Sequence, residues 1–463
     1  MNSNQDTMKH RPPLDPDFVP AVLWNRSYAA KVKQTSGSKP LAISLQRGDS
    51  TVSVYRTTVL PHTAENNALN IRYVERLLKF LLWQRGGYRI LIAGEPEIAR
   101  QIQAIYSPTG SRAFDYEFMG RKVYGHPMEV EACELDAVPE PRELSIPLGR
   151  NLDGCRIGFD LGGSDRKCAA LQDGKVVFSE EVRWDPYFES DPQYHYDGIR
   201  ETLRRAAEHL PRVDAIGGSS AGVYVNNEVR VASLFRGVSE ENFEKRVRRI
   251  FFDLQKEWGG IPFEVVNDGE VTALAGSMSM NDNAVLGISL GTSLAAGYVD
   301  PEGHIRPWLN ELAFAPVDYR ENAPVDEWSG DAGCGVQYFS QQAVARLVPH
   351  SGIELPAGMP FAEQLVEVQK LMAAGDSRAR AIYETIGVCF GYAVAHYADF
   401  YEIRNLLILG RVTSGEGGEI ILEKASAVLH DEFPELAIQL RTPDEKDKRH
   451  GQAVAAASLP KLH

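Results

Sequence analysis

The stretch Arg156-Ile157-Gly158-Phe159-Asp160-Leu161-Gly162-Gly163-Ser164-Asp165-Arg166-Lys167 decides how the rest of the chain is read. Ile157, Phe159 and Leu161 alternate with Gly158 and Asp160, the period of a buried strand. The strand runs into Gly162-Gly163, a turn without β-carbons where backbone N–H groups can converge on an anion. Asp160 stands at the mouth of that turn. Residues 168–171 then resume the strand direction, turn at Asp173-Gly174 and return as 176–178, a hairpin with Asp-Gly at its tip. A carboxylate beside such a turn suits a phosphate tail and its magnesium. A Gly-Gly turn is equally often plain structure, so the reading depends on what accompanies it.

At 463 residues the chain is too long for one core and suggests about three domain-sized units. Its 43% hydrophobic and 24% charged residues are those of an ordinary globular protein. The 49 basic against 63 acidic side chains leave a net charge of −14, which argues against a nucleic-acid surface or an anionic-membrane surface. No run approaches the roughly 18 apolar residues of a membrane span. Residues 1–13 show no apolar signal segment, so a cytoplasmic location is expected. The five cysteines (Cys133, Cys155, Cys168, Cys334, Cys389) are scattered and form neither a disulfide framework nor a zinc pattern.

Residues 1–40 read as an extended arm with a short helix near 24–33. From residue 41 to 150 the pattern is that of a small α/β unit. It has a hairpin around Arg47-Gly48-Asp49, a helix over 70–84 and a strand at 88–93. A helix at 97–106 and a second hairpin over 115–124 turning at Gly120 complete it. Proline-bearing residues 139–147 look like a linker. Beyond it, strands and helices alternate, which points to α/β layering with a mixed sheet. Residues 151–282 and 283–463 make the two halves of that alternation.

Three loops in this region share one composition: a buried strand ending in small residues plus one polar side chain. They are 160–164, 267–270 and 291–293. Gly291-Thr292-Ser293 offers N–H groups and hydroxyls to a phosphate. Asp268 ends a strand and begins a helix, so its carboxylate can accept a proton from a substrate hydroxyl while a phosphoryl group moves. Helix capping is the competing reading of Asn267-Asp268, since both residue types favour that position. The three turns taken together favour catalysis. By contrast, Tyr392, His396, Tyr397, Phe400 and Tyr401 lie at helical spacing and read as core. Residues 444–450 read as a solvated turn, and His195 and His209 have no spaced partner. Trp308 and Trp328 flank Glu311, where stacking on a sugar and plain core packing are both open.

The order of these motifs resembles the ROK family (repressor, open reading frame, kinase) and its glucokinase relatives, within the actin-like ATPase superfold. The family's Asp-x-Gly-Gly-Thr motif is matched by Asp160-Leu161-Gly162-Gly163-Ser164. Its Asn-Asp-x-x-x-x-Ala-Leu-x-Gly motif is matched by residues 267–276, and Gly-Thr-Gly by Gly291-Thr292-Ser293. The adenosine-side Gly-Gly corresponds to Gly410-Arg411 after the apolar run 406–409, and the helix at 451–457 is also family-like. The resemblance covers about residues 155–458. It implies an actin-like ATPase (ribonuclease H-like) fold of duplicated α/β lobes with mixed sheets flanked by helices. These lobes would be residues 151–282 and 283–463, with an N-terminal arm (1–40) and an α/β accessory domain (41–150).

The resemblance implies Asp268 as catalytic base and Asp160 as the residue positioning Mg²⁺ through water. Gly162, Gly163, Ser164, Gly291, Thr292, Ser293, Gly410 and Arg411 would hold ATP, and Asn267, Glu311, Ser220 and Gly222 would hold the acceptor. The family's Glu-x-Gly-His segment aligns with Glu311-Leu312-Ala313-Phe314, so its histidine is replaced by Phe314. The Cys-rich zinc loop is reduced to Cys334, and Gln337 stands where a sugar-binding Glu is expected, so no zinc site is implied. The implied activity is ATP-dependent phosphoryl transfer to a sugar or sugar-like hydroxyl, with no nucleic-acid or membrane partner. If the chain self-associates, a homodimer is the expectation. The alternatives are a catalytically silent sugar-binding or regulatory protein of the same fold, and an ATPase without a small acceptor.

Overall fold

Every residue of the strand Cys155–Leu161 is buried, the charged Arg156 and Asp160 included. In the computed structural model, which describes residues 8–48, 51–143, 148–442 and 451–462, this strand is the centre of a five-stranded sheet. The order is Phe263–Asn267, Ala215–Ser220, Cys155–Leu161, Asp165–Gln172, Lys175–Arg183. The first three strands are parallel and the last two antiparallel, so the expected Asp173-Gly174 hairpin forms the open edge. Gly158 and Gly217 lie side by side on one face because the helix Gly451–Ala457 rests directly upon them. A β-carbon on either would come within 1.7 Å of a carbonyl oxygen of that helix, Ala453 O or Ala456 O. On the other face Phe159, Ile199, Leu203, Phe251 and Leu254 belong to one apolar core.

The chain forms two compact units. The sheet just described lies in the unit made of Ser145–Gly287, Gly297–Pro307 and Thr442–His463. The other unit comprises Met1–Leu144, Ile288–Ala296 and Trp308–Arg441. In it the strands Thr51–Val59, Lys39–Gly48, Arg89–Ala93 and Glu129–Cys133 form a sheet in that order. The hairpin around residue 48 appears as expected, with its tip at 49–50 outside the described residues. The helix Ala64–Arg85 is longer than the expected 70–84, because the Thr63 side chain caps it. Helix Ala21–Gln34 places Trp24 and Tyr28 in the interior. The long helix Ser377–Ala398 carries Tyr392, His396 and Tyr397, all buried as core.

One expectation fails. Residues 115–124 are not a hairpin but the helix Ala113–Glu117 continued by the widened helical turns of Phe118–Tyr124. The cause is Asp115, which is buried and accepts hydrogen bonds from Lys79 Nζ (2.7 Å) and Trp83 Nε1 (2.7 Å). A strand there would alternate Asp115 out of that pairing. The segment 243–257 is helical in two pieces, Phe243–Val247 and Ile250–Glu257. The charge run at 444–450 lies outside the described residues.

Candidate active site

The carboxyl ends of three parallel strands meet in one place, the position where open α/β sheets bind ligands. Register pairs Asp160 with Ser219 and Leu161 with Ser220, and on the far side Val266 with Ser219 and Asn267 with Ser220. Asp160 is 7% exposed, and its Oδ1 accepts a hydrogen bond from Ser219 Oγ at 2.7 Å. Burial pushes its carboxyl up; Ser219 and Lys167 work against that rise, and Asp165 adds to it. Lys167 sits opposite Asp160 on the next strand and makes an ion pair with Asp165 at 3.4 Å.

Asn267, not Asp268, is the N-cap of the helix Asp268–Met280. Its Oδ1 accepts from Gly269 N (2.7 Å), while its Nδ2 donates to Gly222 O (2.7 Å). The capping reading therefore holds for Asn267 and frees the next side chain for other work. Asp268 is half-buried, and its Oδ1 accepts from Gly269 N at 3.0 Å. Desolvation, with a smaller contribution from the Asp160 charge, raises its carboxyl from 3.8 to about 6. Two carboxylates thus feel one another across Ser219 and Ser220, and Asp268 is the one raised to about 6. A carboxylate so placed can accept a proton from a hydroxyl.

The turn after Asp160 is closed by Gly162 N donating to Asp165 O at 2.9 Å. Among the described residues, the N–H groups of Gly163 and Ser164 make no hydrogen bond within the protein. Ser164 Oγ donates to Asp165 Oδ2 at 2.9 Å. Ser220 and Gly222 face the same place: Tyr224 Oη donates to Ser220 Oγ (2.7 Å), and Gly222 is tied to Asn267 as above. Asp160, Gly162, Gly163, Ser164, Ser220, Gly222, Asn267 and Asp268 are therefore assembled within one unit. Ser219 and Tyr224 have no role in the sequence reading; cross-strand register with Asp160 is the signal that finds Ser219, and it also sets Lys167 opposite Asp160.

The other expected residues lie in the other unit. Gly291, Thr292 and Ser293 form a tight turn with Gly291 N donating to Ser293 O (2.9 Å). Gly410 packs against the strand end just before that turn: a β-carbon there would meet Leu290 O at 2.4 Å, and its φ is +105°. The two glycine turns are thus neighbours, and Arg411 follows on the exposed side. Glu311 is held through its backbone N–H, which donates to Trp83 O at 2.9 Å. Phe314 sits in an aromatic cluster with Trp83 (4.6 Å) and Trp328 (4.8 Å), and Gln337 Nε2 donates to Gln342 Oε1 at 2.8 Å. No group of three or more metal-binding side chains occurs among the described residues. Nor is any described helix long and apolar enough to cross a membrane.

Neither a family model nor a curated protein matches the chain. Solved structures do. A ROK hexokinase from Thermus thermophilus is 18% identical, with 65% of this chain and 96% of that chain covered, at a TM-score of 0.52. A ROK family transcriptional regulator, described as a homolog of the E. coli MLC protein, is 19% identical. It covers 66% of this chain and 78% of its own length, at a TM-score of 0.53. An enzyme and a regulator match about equally well, so what the likeness carries is architecture. The chain has the fold of the ROK proteins, a mixed α/β plan of the actin-like ATPase type.

Proposed function

We propose that the protein transfers the terminal phosphoryl group of ATP to a hydroxyl of a sugar or sugar-like small molecule. The observation that carries this reading is the convergence of Asp160 and Asp268 at the carboxyl ends of the two parallel strands that flank Ala215–Ser220, with Asp268 raised to about 6. In this reading the acceptor oxygen attacks the γ-phosphorus while its proton passes to the carboxylate of Asp268. The new P–O bond forms as the bond to the β,γ-bridging oxygen breaks, and that electron pair leaves on ADP. The free N–H groups of Gly163 and Ser164 receive phosphate oxygens, with Gly162 closing the turn. Gly291, Thr292 and Ser293 take the remaining phosphates, and Gly410 and Arg411 the adenosine side. Ser220, Gly222, Asn267 and Glu311 orient the acceptor.

One carboxylate with one oxygen already engaged fits a magnesium ion carried by the phosphates and reached through water, not a closed protein cage. When bound, that ion neutralises phosphate charge. The decisive experiment is a thermal-shift panel of sugars with and without MgATP, followed by ADP release. Sugar-dependent ADP supports the kinase, and Asp268→Asn should abolish it while ATP still binds. Normal turnover in that variant would sink the assignment.

A second reading, a silent sugar-binding or regulatory protein, is favoured by Phe314. Its ring is packed against Trp83 and Trp328, where the family resemblance calls for a histidine. Sugar binding without ADP release would select it.

A further inference from the structure

Two segments outside the strand ends are locked to one another beside the Gly162-Gly163 turn. One is 184–189, and the other is 233–237. His195, fully buried, bridges them: its Nε2 lies 3.1 Å from Pro186 O and 3.0 Å from Leu234 O. Gly237 lets the two backbones touch, since a β-carbon there would come within 2.7 Å of Glu189 O. The first segment is also fastened to the turn itself. Trp184 N donates to Ser164 O (3.1 Å), and Trp184 Nε1 donates to Gly162 O (2.7 Å).

This double anchorage brings the Tyr187 hydroxyl onto the backbone of Gly163, where a β-carbon would come within 2.0 Å of it. Gly163 is therefore required by close approach, since any side chain would displace Tyr187. Above Tyr187 lies Arg236, its guanidinium 4.1 Å from the Tyr187 ring centroid and 5.0 Å from that of Phe188. Phe188 is 78% exposed, so the stack opens outward. Arg236 makes no ion pair and Tyr187 Oη no hydrogen bond among the described residues. In a chain with fourteen excess negative charges, a positioned guanidinium facing only ring planes keeps all its donors available.

We infer that Tyr187 and Arg236 contact the phosphoryl group held at the Gly162-Gly163 turn, with the Tyr187 hydroxyl and the Arg236 guanidinium completing the cradle that the Gly163 and Ser164 N–H groups begin. The inference rests on the phosphoryl-transfer reading above and adds two catalytic residues to it. A guanidinium matches the paired oxygens of a phosphate and can neutralise charge that grows as the group moves. The ring stack fixes its plane in advance, so little freedom is lost on binding.

The test compares wild type with Arg236→Gln, Arg236→Lys, Tyr187→Phe and the control Arg249→Gln. Arg249 is likewise a guanidinium over a ring, Phe252 at 5.1 Å, but on a different segment. Binding of tripolyphosphate and of a non-hydrolysable ATP analogue is measured by calorimetry. ADP release is measured with water and with the best sugar of the panel. Arg236→Gln should weaken both ligands about tenfold and slow ADP release about a hundredfold or more. Arg236→Lys should fall between it and wild type, because a point charge lacks the fork. Tyr187→Phe should slow ADP release roughly tenfold, and Arg249→Gln should match wild type. Wild-type affinity and turnover in both Arg236→Gln and Tyr187→Phe would overturn the inference while leaving the phosphoryl-transfer reading intact. A wild-type protein that binds neither probe would overturn that reading and this inference with it.

Discussion

Between about pH 4 and 6 the carboxyl of Asp268 keeps a proton that the unfolded chain has already released, because its folded value is about 6 against an ordinary 3.8. Its stabilising contribution is therefore complete below pH 4 and is lost as pH rises through 6. Above that, the site holds a carboxylate it has only partly solvated, at a cost on the order of 2 kcal/mol. The same shift sets the activity profile. A general base works as the anion, so kcat/KM should climb tenfold per pH unit below 6 and level off above it. Asp268→Asn should remove the climb and raise stability at pH 8 by roughly 1–3 kcal/mol, read as the urea midpoint at pH 8 against pH 5. A variant no more stable than wild type at pH 8 would mean the carboxylate is not strained. His396 has the opposite sign: burial lowers it to about 3, so the stability it confers is lost as pH falls below 6.5. Wild type and Asp268→Asn both carry His396, so its slope cancels in the difference between them at each pH.

A two-residue hairpin shows how one short element steadies another. Asn226 and Asn227 both adopt left-handed backbone (φ 51° and 62°) between the strands Val223–Val225 and Glu228–Val231, the geometry of a type I′ turn. Asn227 also serves the neighbouring strand. Its Nδ2 donates to Phe263 O (2.8 Å), and its Oδ1 accepts from Val265 N (2.7 Å). Phe263–Asn267 is the edge strand that delivers Asp268, and this side chain supplies the pairing a further strand would give. Asn227→Ala should therefore cost about 2–4 kcal/mol, combining lost hydrogen bonds with a left-handed alanine. Asn227→Gly should recover roughly 1 kcal/mol of that, because glycine accepts the backbone and lacks only the amide. Chemical denaturation of the three proteins separates the two contributions; equal midpoints for Ala and Gly would discard the backbone part. Much of this neighbourhood is legible in the sequence, because its signals are short-range: alternation in 155–161, Asp-Gly at 173–174, an apolar run ending at Asn267-Asp268. The bond from Val265 to Asn227 spans 38 positions and leaves no local pattern.

The larger the separation, the less a local pattern reveals, and the unit containing residues 8–143 makes the point with charge. Lys79 is fully buried in the helix Ala64–Arg85, within 2.7 Å of Asp115 Oδ1 and 3.2 Å of Asp331 Oδ2. Burial alone would lower the ammonium, yet the two carboxylates outweigh it and hold Lys79 above its ordinary range. Asp331 is in turn held low, against its own burial, by Lys79 and Arg76, and it also pairs with Arg112. Three stretches distant in sequence are thus joined by ions withdrawn from water: the helix Ala64–Arg85, the 113–117 helix and the loop carrying Cys334. Periodicity counts Lys79 as a solvated residue and Asp115 as a strand residue, which is why a hairpin was expected at 115–124. A buried network of this kind is fragile to the loss of one member, because the partners remain charged and unpaired. Lys79→Met should therefore cost about 3–5 kcal/mol, far more than its change in packing volume warrants. The double variant Lys79→Met/Asp115→Asn should regain part of that cost by removing one orphaned carboxylate. Hydrogen exchange read by mass spectrometry gives the check at peptide resolution. Protection should fall in 64–85, 113–117 and 326–334 while the strands 155–161 and 215–220 keep theirs. Uniform loss across both units, or none in 326–334, would show that these charges do not hold the loop.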